Sequence, residues 1–183
     1  MTAAAPRGRV ISLLGPESTG KTTLSLELAA ALRGRGRTVE VVPEVLRHFC
    51  ERQGRTPRID EQRGIAAVQT ARIAEARTMA DRVVADTTAL MVAVYSEIVF
   101  GDRSLLADAL AVERSFDLTL VTECDIPWVA DGLQREGEHV RGPVAATLIA
   151  ALASGGMPWR PVTGSGSARL AHALAAIDAA GLG

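Results

Sequence analysis

The segment from Gly15 to Thr22 contains the residues whose types and spacing are most informative about chemistry. It reads Gly-Pro-Glu-Ser-Thr-Gly-Lys-Thr and fits the P-loop pattern of Gly, four residues and Gly-Lys-Thr. Glycines let the backbone wrap a phosphate chain with its N–H groups turned inward. Lys21 is expected to reach the β- and γ-phosphates of ATP, and the Thr22 hydroxyl to contact Mg²⁺. The residues expected to hold the nucleotide are Gly15, Glu17, Ser18, Thr19, Gly20, Lys21, Thr22 and Thr23.

The elements on either side of this segment are those that a P-loop requires. Residues 10–14 read as a short buried strand, and residues 22–32 have the periodicity of a helix. The N-terminus of that helix adds a partial positive charge that favours phosphate. A chance glycine-rich turn is the alternative, and the matching strand and helix make it the weaker interpretation.

Asp86 ends the apolar run 83–86, which is predicted to be a strand. In P-loop proteins a carboxylate at such a position holds Mg²⁺ directly or through water. Asp86 can instead be the N-cap of the helix that starts near Thr88, since aspartate is common at that position. The two roles are compatible, and Asp86 is a candidate for both metal and substrate binding.

Glu44 follows the predicted strand 38–42, directly after Pro43. A kinase that acts on a hydroxyl benefits from a carboxylate that accepts the proton during phosphoryl transfer. A glutamate in the first turn of a helix is also favoured by the helix dipole alone. The spacing leaves both interpretations of Glu44 open, as catalytic and substrate-binding residue or as helix terminus.

A loop after the predicted strand 118–122 places Trp128 between two carboxylates, Asp125 and Asp131. Such a loop can bind a flat cationic ligand, because the ring face and both carboxylates attract positive charge. The alternative is that Trp128 is an ordinary core anchor, as most tryptophans are.

Arg135 and Arg141 flank a polar stretch in a candidate lid at about 131–143. They can reach the transferring phosphoryl group as catalytic residues, or they can belong to a solvated loop. Gly164, after the predicted strand 160–163, either approaches an adenine closely or turns the chain. Arginines at 47–63 can lie at the surface or bind a substrate phosphate.

Composition limits the class of protein. With 20 Lys and Arg against 21 Asp and Glu, the net charge is −1, which argues against a broad nucleic-acid surface. No apolar run is long enough to span a bilayer, and the N-terminus lacks the apolar core of a secretory signal. Two cysteines without metal or disulfide spacing fit a reduced, cytoplasmic setting.

The whole chain reads as alternating strands and helices in one domain, residues 1–183, with residues 1–8 expected to be flexible. Helices are predicted at 44–52, 59–81, 89–100, 104–114, 144–153 and 168–179. This alternation predicts a parallel sheet covered on both faces, a doubly wound α/β domain. Ligands bind at the carboxyl ends of the strands in such sheets, where the candidate residues lie.

Together these motifs resemble the ribosylnicotinamide kinase domain of the bacterial NAD-biosynthesis regulator NadR and its stand-alone AAA-type ATPase relatives. The resemblance rests on GPESTGKTTL at 15–24, VPEVLR at 42–47, DTTALMVAVYSEIVFGD at 86–102 and DIPWVADGL at 125–133, with Gly164 and Arg169 near the end. It implies a five-stranded nucleoside-kinase fold of strand order 2-3-1-4-5. It also implies ATP-dependent phosphorylation of the 5′-hydroxyl of nicotinamide riboside, with Tyr95 among the substrate-binding residues.

The chain departs from that pattern at three positions. Relatives usually have aspartate where Thr88 stands, proline where Cys124 stands, and arginine directly after Asp-Gly-Leu, where Gln134 precedes Arg135. The adenylyltransferase and DNA-binding parts of the regulator are outside the resemblance. The alternatives are another nucleoside or nucleotide kinase, or a P-loop ATPase that acts as a switch or partner-binding module. The expected partner is a small nucleoside, with a homo-oligomer possible.

Overall fold

The computed structural model describes residues 8–129 and 137–183. Its strands are β1 (Arg9–Leu14), β2 (Val39–Val42), β3 (Arg82–Asp86), β4 (Leu118–Thr122) and β5 (Arg160–Val162). Its helices are α1 (Lys21–Gly34), α2 (Val45–Gln53), α3 (Ile59–Met79), α4 (Ala89–Phe100), α5 (Leu106–Glu113), α6 (Arg141–Ser154) and α7 (Gly166–Ala179), with a 3₁₀ turn at Glu138–Val140.

The five strands form one parallel sheet in the order β2-β3-β1-β4-β5. This confirms the predicted fold class and strand order. In the register, Leu13 of β1 lies opposite Asp86 of β3, and Leu14 lies opposite Val121 of β4. The carboxyl ends of β1, β3 and β4 therefore meet at one edge, and the segments that follow them share a single crevice.

Helices cover both faces of the sheet. Leu28 of α1 and Ile177 of α7 pack with Val84 and Leu120 on one face. On the other face α4 and α6 pack over Leu14 and Val121, and Ile73 of α3 packs over Val10 and Val83. Covering both faces buries most apolar side chains of β1, β3 and β4, the three central strands, as a doubly wound domain requires.

Helix α6 begins earlier than the sequence predicts. It starts at Arg141 rather than at residue 144, and the 3₁₀ turn precedes it. Pro143 is compatible with this start, because the first turn of a helix has no intrahelical acceptor for its N–H groups. Residues 137–143 of the candidate lid are therefore a turn and a helix start. The expectation of a loop at Arg141 is wrong.

Helix α3 buries an unusual stripe of side chains. The buried positions are Gln62, Ile65, Gln69, Ile73 and Ala76, which follow the three- and four-residue spacing of one helix face. Glutamine is mostly exposed in proteins, so the two glutamines at the N-terminal end of this stripe need polar partners. They lie where α3 passes the carboxyl edge of the sheet.

A buried carboxylate joins three strands beneath the crevice. Glu113 is 1% exposed and accepts hydrogen bonds from the hydroxyls of Ser12 on β1, Thr119 on β4 and Thr88 after β3. Burial raises the pKa of Glu113 above its ordinary value, and the three hydroxyls partly oppose that shift.

Within the described residues, no helix combines the length and apolar character needed to cross a membrane.

Candidate active site

The segment between β1 and α1 has the backbone conformation of a phosphate-binding loop. Gly15, Ser18 and Gly20 all have positive φ angles, of 140°, 54° and 75°. Gly15 also lies against β4, where an added Cβ would come within 2.8 Å of the Thr122 carbonyl oxygen. Both the left-handed conformation and the close approach to β4 require glycine at position 15. This geometry is the one that the sequence predicts for a P-loop.

Hydrogen bonds fix the loop before any nucleotide enters. The Thr19 hydroxyl is bonded to the Pro16 carbonyl oxygen at 2.8 Å and lies 2.7 Å from the Thr122 hydroxyl. The Lys21 ammonium donates to the same Pro16 carbonyl at 2.7 Å. Lys21 is thus folded back over the loop, where its charge faces the concave side that a phosphate chain would fill.

Thr22 and Asp86 lie together, as a metal site would require. The Thr22 hydroxyl donates to Asp86 Oδ2 at 2.6 Å, whereas Asp86 Oδ1 is buried and has no hydrogen-bond partner. An orphaned, buried carboxylate oxygen beside a P-loop hydroxyl suits Mg²⁺, which takes few protein ligands and completes its shell with water and phosphate oxygens. No group of three or more metal-ligating side chains occurs in the described ranges, which is consistent with such a sparse site.

The N-cap of α4 is Thr88, not Asp86. The Thr88 hydroxyl accepts from the Leu90 N–H at 3.2 Å and donates to Glu113 Oε2 at 2.7 Å. Asp86 does not cap α4, and its role in metal or substrate binding stays a prediction. An aspartate at position 88, as in the family that the sequence resembles, would add a second carboxylate beside the buried one of Glu113.

Thr87, between these two residues, holds a strained conformation. Its φ angle is 73°, which is uncommon for any residue with a side chain and an outlier for a β-branched one. Its hydroxyl is buried without a partner, and the residue lines the main cavity. Strain of this kind persists where surrounding contacts impose it, and it concentrates at functional sites.

Glu44 lies at the N-cap position of α2, but its carboxylate does not cap the helix. One carboxylate oxygen lies 3.7 Å from Nε of Arg47, and both residues line the main cavity. The helix-terminus interpretation predicted a first-turn residue, whereas Glu44 precedes the first turn. A carboxylate that faces a cavity next to a P-loop can accept a proton, so its role as base stays a prediction.

Gln69 of α3 fixes the backbone on both sides of Glu44. Its amide oxygen accepts from the Val45 N–H at 2.8 Å, and its amide nitrogen donates to the Pro43 and Thr87 carbonyls at 3.4 and 3.3 Å. The side chain is 1% exposed. One buried amide thus joins the segments that follow β2 and β3.

The loop after β4 docks on the P-loop. Trp128 Nε1 lies 3.4 Å from Glu17 Oε1, while the Val129 N–H and carbonyl oxygen bond the Ser18 hydroxyl at 2.8 and 3.1 Å. Trp128 is half-buried and lies beside the main cavity rather than among its lining residues. The core-anchor interpretation fails to describe it, and contact with a base stays a prediction.

Asp125 is engaged by Arg169 and by the backbone of Gly164. One carboxylate oxygen pairs with the Arg169 guanidinium, and the other accepts from the Gly164 N–H at 2.6 Å. Arg169 is 4% exposed and also donates to the Thr19 carbonyl at 2.8 Å and to the Gly164 carbonyl at 2.7 Å. These contacts tie the P-loop to the segments after β4 and β5. Gly164 has a φ angle of 87°, which accounts for its turn.

Arg141, predicted as a lid arginine, is 5% exposed at the start of α6. One guanidinium nitrogen donates to the Ile126 carbonyl at 3.0 Å, and the other two are buried without partners. Unpartnered donors on a buried cation suit an anion, so a contact with phosphate stays a prediction. Asp131 and Arg135 lie outside the described residues.

A cavity of about 670 Å³ is lined by several of these groups. Small-molecule sites typically measure roughly 300–1,000 Å³, with apolar walls and a few polar groups that orient the ligand. The P-loop residues 15 and 17–23 line the cavity, as do Glu44 and Arg47. Its lining also includes Tyr95 of α4 and a set of apolar side chains, which are Leu46, Met91, Ile98, Val99, Phe100, Val140 and Val144.

Residues 10–169 match the model of a family described as an AAA domain. The chain belongs to this AAA domain family. Its fold is that of a NadR-like P-loop kinase domain. The family match includes the P-loop, Glu44, Asp86 and the loop after β4.

Three solved structures share this fold. NadR in complex with NR has a TM-score of 0.76 at 21% identity, over 94% of this chain and 50% of that one. NadR in complex with NAD and AMP-PNP has a TM-score of 0.71 at 22% identity, over 94% and 49%. Deoxyadenosine kinase from M. mycoides, with its products bound, has a TM-score of 0.64 at 12% identity, over 93% and 99%. The chain therefore spans about half the length of the two NadR structures.

Sequence reasoning missed Gln62 and Gln69 and gave Arg169 no role. The sequence pattern contains a signal for these residues. Gln62 and Gln69 occupy the apolar stripe of α3, and Arg169 lies on the buried face of α7. A polar side chain on a buried face indicates a specific partner, but the sequence does not say which one.

Proposed function

We propose that this protein is an ATP-dependent kinase that phosphorylates the 5′-hydroxyl of nicotinamide riboside to give nicotinamide mononucleotide. The observation that carries the proposal is that the P-loop, Glu44 and a set of apolar side chains line one cavity. A P-loop ATPase that uses only water has no need of such an apolar wall. A kinase needs one to hold the acceptor in line with the transferred phosphoryl group.

The residues divide the chemistry between them. The P-loop backbone and Lys21 would bind the phosphates of ATP, and Thr22 with Asp86 would hold Mg²⁺, which supplies neutralisation of phosphate charge. Glu44 would accept the proton of the 5′-hydroxyl. Arg141 has unpartnered donors that suit a phosphate oxygen.

Two lines of support favour a nucleoside as the acceptor. The cavity combines an aromatic side chain with aliphatic ones, which suits a base and a sugar. The structures of the same fold include NadR in complex with NR and a deoxyadenosine kinase. The choice of nicotinamide riboside rests on the structure of NadR in complex with NR and on the sequence motif at 125–133.

The test is ADP release from ATP and Mg²⁺ across a panel of nucleosides that includes nicotinamide riboside, with mass spectrometry of the product. We expect nicotinamide riboside to stimulate ADP release most and to gain one phosphate. Lys21→Ala is the control for contaminating kinases, because it removes the P-loop ammonium. ADP release that no nucleoside stimulates would instead support an ATPase switch.

A further inference from the structure

Gln62 is a buried amide on the wall of the cavity that no intramolecular contact satisfies. The residue is 4% exposed, and its amide oxygen is buried with no hydrogen-bond partner. It lines the same cavity as the P-loop and Tyr95. A buried acceptor without a donor destabilises the folded protein, so its presence at a binding cavity points to a ligand that supplies the donor.

The second glutamine of the same helix shows what a structural role looks like. Gln69 makes three hydrogen bonds to the backbone and lies on the same stripe of α3. Gln62 has the same side chain and comparable burial, but it lines the cavity and its amide oxygen is unpaired. The difference between the two amides is the absence of a partner, which the ligand would provide.

The position of Gln62 indicates which part of a ligand it meets. Gln69 is level with the carboxyl edge of the sheet, because it bonds the backbone at Pro43 and Thr87. Helix α3 then runs back toward the start of β3, so its N-terminal part projects beyond that edge. Gln62 precedes Gln69 by seven residues, which places it about 10 Å further out at 1.5 Å per residue.

Gln69 bonds the backbone on both sides of Glu44, the predicted base. A position about 10 Å further along α3 is therefore roughly the length of a nucleoside away from the segment that carries Glu44. Tyr95 and Phe100 of α4 line the cavity as well, and Phe100 is partly exposed. The base of an acceptor that reacts at its 5′-hydroxyl therefore falls in the region of Gln62.

We infer that Gln62 recognises the base of the acceptor by pairing its side-chain amide with a carboxamide. A glutamine presents a carbonyl acceptor beside an N–H donor, and a carboxamide presents the complementary pair. This inference rests on the proposed function and deepens it, because it names the chemical group of the base that the site selects. A carboxylate in place of the carboxamide has no N–H to offer to the Gln62 oxygen.

The test compares nicotinamide riboside with its 3-carboxylate analogue, which keeps the ring, the ring charge and the sugar. Wild-type protein is expected to favour the carboxamide in kcat/KM. Gln62→Leu is expected to raise KM for nicotinamide riboside roughly ten- to a hundredfold, to leave kcat within a few-fold, and to reduce the preference between the two substrates. Gln53→Leu, on the exposed end of α2, is the matched control and should change neither value.

Gln62→Met, which has a similar volume, is the second variant if the leucine variant does not fold. It lacks both the acceptor and the N–H donor of the amide and should raise KM for nicotinamide riboside. An active wild-type enzyme without preference between the substrates overturns the role of Gln62 and leaves the proposed function intact. Unchanged KM values in a folded Gln62 variant also overturn the role of Gln62 and leave the proposed function intact. A wild-type enzyme that phosphorylates neither substrate overturns the proposed function and this inference together.

Discussion

At the scale of single residues, the site depends on a few charged groups held in fixed positions. Lys21 and Asp86 both have partners inside the loop region, at 2.7 Å to the Pro16 carbonyl and 2.6 Å to the Thr22 hydroxyl. Such contacts order the charges before substrate arrives, so little reorganisation is needed during the reaction. Glu44 and Arg47 form a looser pair, with Oε2 and Nε 3.7 Å apart.

Lys21→Ala is expected to abolish phosphoryl transfer and to leave the fold intact. The ammonium acts where charge develops on the transferring phosphate, a contribution on the order of several kcal/mol. Its side chain is only half-buried, so its loss opens no core cavity. Turnover and the far-UV circular dichroism spectrum should be measured on the same preparation. Wild-type turnover in this variant would refute the assignment of the P-loop.

Glu44→Gln is expected to lower kcat by roughly 10²–10⁴-fold and to change KM little, because the amide cannot accept the proton. Glu40→Gln, an exposed change on the neighbouring strand β2, serves as the control. Steady-state kinetics with the preferred nucleoside gives both constants. An unchanged kcat would mean that Glu44 is not the base.

At the scale of elements, α3 sets the spacing between the segments that carry the predicted base and the predicted metal ligand. Its buried stripe packs on the sheet through Ile73 and Ala76 and reaches the site through Gln69. The hydrogen bonds of Gln69 to other described residues go to backbone groups, so we expect it to position these segments.

Gln69→Leu is expected to lower kcat more than it raises KM and to reduce the free energy of unfolding by roughly 1–3 kcal/mol, because the Val45 N–H loses its acceptor. Ile73→Val is the matched control: it lies one turn further along the same stripe and should cost roughly 0.5–1.5 kcal/mol without altering kcat. Urea unfolding and kinetics on both variants separate positioning from stability. Equal kcat values for the two would contradict a positioning role.

At the scale of the whole molecule, two carboxylates give stability opposite dependences on pH. Arg55 and the Arg58 N–H lower the pKa of Glu61 to about 2, so its contribution is present above the unfolded pKa and is lost as pH falls toward 2. Burial raises the pKa of Glu113. The contribution of Glu113 is therefore full below the unfolded pKa and declines as pH rises toward the folded pKa.

In the wild-type protein, we expect the Glu113 contribution to the free energy of unfolding to decrease as pH rises above the unfolded pKa of a glutamate. Glu113→Gln is expected to make this decrease smaller. The amide fills the same space, stays neutral, and can still bond the hydroxyls of Ser12, Thr88 and Thr119. Urea unfolding of both proteins at several pH values from 4 upward tests this. Parallel curves would show that Glu113 does not titrate differently in the folded state.

The sequence by itself determined those features that depend on local spacing. The P-loop, the alternation of strands and helices, and the placement of Glu44 and Asp86 after strands all follow from neighbours along the chain. The boundaries of the other elements agree within two residues, and α6 starts three residues early because Pro143 is tolerated in a first turn.

Only the tertiary structure decided which distant groups meet. The pairing of Asp125 with Arg169, the three-hydroxyl site of Glu113 and the contrast between Gln62 and Gln69 depend on strand order and helix rotation, which bring together residues far apart in sequence. The periodicity of α3 marks a buried face, but it does not show that one glutamine meets backbone and the other a cavity. That distinction arises because Gln62 lies about two turns of α3 beyond the edge of the sheet, where Gln69 lies.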